Sequence, residues 1–160
     1  MTAVGPSDVG VTSDTALGDW YVNRLLVDRQ PLLLLVSALS LLPIVLPARD
    51  VRALPDRLGV VVRGRLSRLG VTAKVIDAEV TAMSPVTVAP TVDRSVVGIM
   101  VDFAKAIPSY LPERTWNATA LPFVEARLAE TPCHATRRFE EVIFPAEKAS
   151  ALLVARWHAG

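Results

Sequence analysis

The sequence lacks most of the features from which a function is usually recognised. Among its 160 residues there is one cysteine, Cys133, and there are two histidines. A single cysteine excludes an intrachain disulfide, and so few soft ligands argue against a structural zinc site. The adjacent Cys133 and His134 do not predict a thiol nucleophile with its base, because neighbouring side chains rarely point at each other. We therefore predict no catalytic residue, no metal and no cofactor.

The sequence also lacks an excess of positive or of negative charge. The net charge is +1, which excludes a global field that would draw the chain to nucleic acid or anionic lipid. The first 18 residues lack the basic region and the apolar core of a signal peptide, so we expect a cytoplasmic protein. Arginine outnumbers lysine fourteen to three, which is typical of a GC-rich bacterial genome.

What the sequence does contain is a long apolar run. The 17 residues from Leu32 to Ala48 carry no charge, which is near the lower limit for a membrane-spanning helix. Pro43 would remove a hydrogen bond in such a helix, and Ser37 and Ser40 divide the run into two short halves. We therefore predict buried strands, which need not alternate when both faces are covered. A single-pass membrane protein through residues 32–48 remains the alternative.

The fold predicted from these patterns is α+β. The N-terminal part forms a three-stranded antiparallel meander at about 19–27, 32–37 and 41–46, packed by several helices. Residues 1–16 mix small, polar and turn-forming residues without a period, and we expect a disordered leader there. Residues 17–160 then form a single domain. A central buried helix is expected near 94–107, capped by Asp93, because its apolar residues recur at helical spacing.

Two segments resemble an uncharacterised bacterial family, over about residues 18–133. They are "WYVNRLLVDRQPLLLLVSALSLLPIVLPA" and "DRSVVGIMVDFAKAI", the second being similar to a family pattern "NRSVLGSMND". The matching positions are Trp20, Asn23, Arg24, Arg94, Ser95, Val96, Gly98, Met100 and Asp102. Ile99 and Val101 stand where the family has polar residues. Family members are described as domains of unknown function or as similar to an open reading frame of a plasmid, so the resemblance implies a soluble α+β domain and no particular activity.

Three polar residues in apolar or capping positions are candidates for binding. Arg24 and Asp102 lie inside apolar elements, and a buried unpaired charge would cost several kcal/mol. We expect each to be paired, Arg24 with Asp102 or Asp102 with Lys105, and we favour a structural ion pair over a ligand site. Arg94 stands at the start of a helix, where free N–H groups favour anions, although Asp93 would already occupy that cap.

The segment from residue 49 to 74 carries seven cationic residues and two aspartates. A basic helix face of this kind can bind phosphates or an acidic protein. If the protein binds such a partner, we predict that Arg57, Arg65 and Arg68 form the contact surface. A solvated face without a partner is the competing interpretation, since aromatic residues are not interleaved with the charges.

Together these features favour a bacterial cytosolic binding or regulatory module over an enzyme. A link to mobile elements or to toxin–antitoxin-like systems follows only from the resemblance and from analogy of fold. The alternative is a hydrolase or nuclease that uses Asp102. We expect no membrane partner, and the sequence does not predict an oligomeric state.

Overall fold

The apolar run forms strands, as predicted. The computed structural model describes residues 2–6, 14–27, 29–48, 51–84, 86–90, 93–111, 120–134 and 142–157. Strands β2 (Trp20–Val27), β3 (Gln30–Ser37) and β4 (Pro43–Pro47) form the antiparallel meander. Within the described part of the chain no helix is long and apolar enough to cross a membrane, so the spanning-helix alternative is not supported.

Two further strands enlarge the meander to a five-stranded sheet. Strand β1 (Thr2–Pro6) pairs with β2, and β5 (Val86–Pro90) pairs with β1, so that the order is β4-β3-β2-β1-β5 with every pair antiparallel. A strand therefore lies where the sequence predicts a disordered leader, and Thr15 and Ala16 are buried. The strand is held by its pairing with β2 and β5 and not by a pattern of its own, and the Ala16 amide is held by the Glu79 carboxylate.

Helices cover both faces of the sheet. One layer contains α1 (Leu54–Leu69), α2 (Ala73–Ala82) and α5 (Pro145–Trp157), and the other contains α3 (Arg94–Tyr110) and α4 (Leu121–Ala129). A short two-stranded ribbon of β6 (Cys133–His134) and β7 (Val142–Ile143) adjoins the second layer. In β3, Leu32 and Leu34 pack toward α3 whereas Leu33 and Leu35 pack toward α1. Two covered faces explain why this strand is apolar at consecutive positions.

A buried turn joins β3 to β4 at the serines that divide the apolar run. The Ser37 hydroxyl donates to the Leu17 carbonyl over 2.6 Å, and the Ser40 hydroxyl donates to Ser37 Oγ over 2.8 Å. Leu41, which follows, has a φ of 65° although it is not glycine. Because left-handed backbone is unfavourable for leucine, this turn depends on the hydrogen bonds and packing around it.

Candidate functional site

Helix α3 is fixed by its cap and by one apolar face. Asp93 Oδ1 accepts a hydrogen bond from the Ser95 amide over 2.9 Å, and the Asp93 amide donates to the Tyr21 hydroxyl on β2 over 2.9 Å. The buried residues follow at helical spacing: Val96, Ile99, Met100, Phe103 and Ile107. The predicted cap and buried face are thus confirmed. The helix continues through Pro108 to Tyr110, slightly beyond its predicted end.

The predicted pairing of Arg24 with Asp102 is wrong. Both residues are exposed, and no ion pair joins them or joins Asp102 to Lys105. Asp102 precedes the buried Phe103, but one helical step turns its side chain toward the outer side of α3. Arg24 falls on an exposed position of β2, whose burial alternates toward its end. Neither charge is therefore buried. The free-energy cost of a buried unpaired charge, which led to the predicted pairing, does not arise.

Asp102 instead lines a pocket between α3 and the turn that follows α4. The pocket has a volume of about 140 Å³. Its apolar lining comes from Ile99, Phe103, Ala106, Leu128 and Pro132. Its polar lining comes from Asp102, Thr131 and Cys133. Since Asp102 is exposed while Phe103, Leu128 and Cys133 are buried, the carboxylate lies at the open side and the apolar groups form the floor.

The thiol in this floor is protonated at neutral pH. Burial, and secondly the negative charge of Asp102, raise the pKa of Cys133 to about 11. The Sγ atom donates to the Thr131 carbonyl over 3.6 Å, a distance within the range of weak thiol hydrogen bonds. The thiolate, and not the thiol, is the nucleophile of cysteine chemistry. The described lining of the pocket therefore presents a neutral floor and one negative charge, that of Asp102, at its opening.

The basic residues predicted on α1 do not form one accessible surface. Arg65 is buried, with Nε donating to the Pro43 carbonyl over 2.8 Å. Arg68 is half-exposed and donates from Nε and Nη2 to Glu125 Oε1 over 3.1 and 2.9 Å. Of the three, Arg57 alone is exposed and forms no hydrogen bond or ion pair with another described residue. The sequence-based prediction did not separate these roles, because it placed all three arginines on one side of the same helix.

Glu125 on α4 forms ion pairs with both Arg65 and Arg68 at the β4 edge of the sheet. Its Oε2 accepts from the Val45 amide over 2.9 Å, and its Oε1 lies 3.9 Å from Arg65 Nε. Burial raises the pKa of the Glu125 carboxyl, against the opposing effect of Arg65, the Val45 amide and Arg68. Burial likewise lowers the pKa of the Arg65 guanidinium. This network joins α1, β4 and α4, which is a structural role.

A second buried carboxylate, Glu79 on α2, also escaped the sequence-based prediction. It accepts hydrogen bonds from the Ala16 amide over 2.8 Å, the Leu17 amide over 3.0 Å and Trp157 Nε1 over 2.7 Å. A signal was present, since Glu79 shares a helix face with the apolar Ile76 and Met83. A carboxylate at such a position requires several donors.

Comparison with known proteins gives one match. A family model described as "Domain of unknown function (DUF6933)" matches residues 2–148. No curated protein and no solved structure matches the chain. The matched range includes the pocket residues and both buried carboxylates, and the resemblance to an uncharacterised family is confirmed. Among the residues with described positions, no group of three or more His, Cys, Asp or Glu side chains could hold a metal ion.

Proposed function

Since the chain belongs to the family of domain of unknown function DUF6933, whose description states no activity, we propose a function from the chain's own geometry. In this proposal the protein is a binding module. Its ligand is a small molecule with an apolar body and a positively charged group, which binds in the pocket beside α3. The apolar body lies on the floor, and the charged group meets Asp102 at the opening. The placement of this one carboxylate above an apolar, neutral floor is the observation that carries the proposal.

The chemistry of the lining supports a cationic ligand in particular. Asp102 is the one charged residue among the described residues of the lining, and the neighbouring thiol is neutral. Ligand sites commonly combine an apolar wall with a few placed polar groups that fix orientation. An ammonium group gains a charge-assisted hydrogen bond from the carboxylate, whereas a ligand carboxylate would be repelled.

The same lining favours binding over hydrolysis by Asp102. Acid–base hydrolysis of the two-carboxylate kind needs a second titratable group close to the first, and metal-assisted hydrolysis needs several ligands together. Asp102 is the one carboxylate among the pocket residues with described positions, and Cys133 does not ionise at neutral pH. A binding role requires only the charge that is present.

The wider role of the module is also part of the proposal. A regulatory function in the bacterial cytoplasm, with a link to mobile elements or to toxin–antitoxin-like systems, is supported only by the resemblance and by analogy of fold. Binding of nucleic acid or of an acidic protein through α1 is less favoured, since Arg65 is buried and Arg68 is bound by Glu125. A ligand in the pocket beside α3 would be the signal to which such a module responds.

Calorimetric titration with n-butylammonium tests the proposal. The uncharged n-butanol and the anion n-pentanoate are matched ligands, since both carry the same butyl chain. We expect binding in the order ammonium, alcohol, carboxylate. The variant Asp102→Asn should weaken the binding of n-butylammonium by about three- to tenfold, in the range of a partly exposed ion pair.

The control variant is Asp56→Asn, which removes an equally exposed carboxylate on α1, in the opposite helical layer. It should bind n-butylammonium as the unaltered protein does. Equal affinity for the ammonium and the alcohol, or an unchanged affinity in Asp102→Asn, would remove the proposed role of Asp102.

A further inference from the structure

The outer side of α3 carries a glycine whose presence no described residue explains. Gly98 is exposed in the middle of the helix, and a Cβ atom built there would meet no described atom within 4 Å. A mid-helix glycine destabilises a helix by about 0.5–1 kcal/mol relative to alanine. No described part of the chain packs closely against Gly98 to use the space left by the missing side chain. That space is therefore open to a close approach from another molecule.

Two unpaired charges flank this glycine symmetrically. Arg94 lies four residues before Gly98, and Asp102 lies four residues after it. Both are exposed, and neither forms an ion pair with another described residue. Residues at this spacing form one row along a helix surface, and such rows are the ridges of the commonest class of helix packing. Along this row a positive charge at Arg94 is followed by the small Gly98 and then by a negative charge at Asp102.

Such a row is complementary to itself when it is reversed. In an antiparallel pair of helices related by a two-fold axis at Gly98, each residue faces the one equally far on the other side of the axis. Arg94 of one copy then faces Asp102 of the other, about 6 Å along the helix from the axis, and the second pair repeats this. The two glycines meet at the axis and let the helices approach closely. Val101, which is 43% exposed, adds apolar area beside the row.

We propose that a second copy of this chain binds to the outer face of α3, with Gly98 at the two-fold axis and reciprocal Arg94–Asp102 ion pairs on either side. The argument is one of charge complementarity: a partner of uniform charge would match only one end of the row. This inference does not rest on the proposed ligand site, but Asp102 takes part in both, so Arg94 of the second copy and a cationic ligand would compete for its carboxylate. Arg94 and Gly98 do not line the pocket, so their variants test the dimer without altering the site.

Sedimentation velocity over a range of concentrations tests the dimer through charge reversal. The unaltered protein should show a reversible dimer. Arg94→Asp and Asp102→Arg should each raise the dissociation constant at least about tenfold, because each places like charges opposite one another at two positions. The combined variant Arg94→Asp with Asp102→Arg restores opposite charges and should return the constant to within about threefold of the original. Lys74→Asp, a reversal of an exposed charge on α2 in the other layer, should leave it unchanged.

Gly98→Leu tests the close approach separately. No described atom lies within 4 Å of a Cβ atom at this exposed position, so we expect the variant to fold and melt no lower than the original, while its dissociation constant rises at least about tenfold. A protein that stays monomeric up to millimolar concentration would overturn the proposal. So would a dimer that tolerates both single reversals or Gly98→Leu, or single defects that the combined variant does not repair.

Discussion

The Cys133 thiol shows how surroundings determine the chemistry of one residue. It is buried in the pocket floor near the charge of Asp102, and both influences disfavour the thiolate. The raised pKa keeps the floor neutral throughout the physiological range. Because this is the chain's one cysteine, its reactivity reports on the pocket without interference from other thiols.

The pH dependence of Cys133 alkylation is the first prediction. The rate with iodoacetamide should rise with pH toward a midpoint near 11, because only the thiolate reacts. In Asp102→Asn the midpoint should fall, since a negative charge that raises the pKa is removed. The midpoint is compared, and not the absolute rate, because burial also slows access. An unchanged midpoint in Asp102→Asn would place the carboxylate too far from the thiol.

Two aspartates of α3 illustrate what the sequence predicts at the scale of residues. Asp93 was recognised as a cap because capping is local: the carboxylate binds amides two and three residues further along. The surroundings of Asp102 depend on which side of α3 faces the sheet and on the turn after α4, which is distant in sequence. Its position in the pocket could therefore not be read from its neighbours in the chain.

At the scale of elements, strand β4 shows how an exposed sheet edge is closed. Pro43 and Pro47 have no N–H to offer, the Val45 amide donates to Glu125, and the Pro43 carbonyl accepts from Arg65. Unpaired edges invite pairing with other chains, and proline and charged residues are common ways to prevent it. The buried Glu125 and Arg65 thus provide hydrogen-bond partners for the backbone of β4, and each is also the counter-charge of the other.

Removal of Glu125 should therefore be costly. Glu125→Ala leaves Arg65 without its buried counter-charge and the Val45 amide without an acceptor, and we expect a loss of about 3–5 kcal/mol in the free energy of unfolding by urea. Arg68→Ala removes a partner that is 40% exposed, and should cost about 1 kcal/mol or less.

The double variant Arg65→Met with Glu125→Leu separates charge from edge pairing. It removes both buried charges but leaves the Val45 amide and the Pro43 carbonyl without these partners, so only part of the loss should be recovered. Full recovery would mean that the edge groups find other partners. A Glu125→Ala variant as stable as the original would contradict the buried network.

Elements with strong local signals were predicted, and those formed by distant pairing were not. The proline and serine positions divided the apolar run correctly into β3 and β4, and helix α3 followed from its spacing. Strand β1 (Thr2–Pro6) has glycine and proline in a five-residue segment, and it exists because β2 and β5 pair with it. Such pairing has no signature within the segment itself.

For the whole molecule, Glu79 connects parts that are far apart in the sequence. Its carboxylate binds two amides near the N-terminal strands and the indole of Trp157 at the end of α5. The segment around Ala16, helix α2 and helix α5 are thereby held at one position in the α1–α2–α5 layer. Ala16 and Leu17 are themselves buried, so their amides need this carboxylate as an acceptor.

Glu79→Ala should loosen both connections at once. We expect a loss of about 3–5 kcal/mol in the free energy of unfolding, since several buried donors lose their acceptor. Trp157→Phe removes one of these hydrogen bonds and should cost about 1.5–3 kcal/mol. Hydrogen exchange at the Ala16 and Leu17 amides should accelerate in Glu79→Ala and stay slow in Trp157→Phe. Equal exchange in the two variants would show that Glu79 does not hold these amides.

Protection of Cys133 by a ligand tests the proposed site most directly. Alkylation by iodoacetamide is followed by mass spectrometry at a fixed pH of about 9, below the pKa of about 10.4 at which a primary ammonium loses its proton, with n-butylammonium, with n-butanol and without ligand, at the same ionic strength. The proposed site predicts that n-butylammonium slows alkylation in a saturable manner, more strongly than n-butanol, and that Asp102→Asn loses this difference. An alkylation rate that is the same with and without n-butylammonium would contradict the binding of a cationic ligand in this pocket.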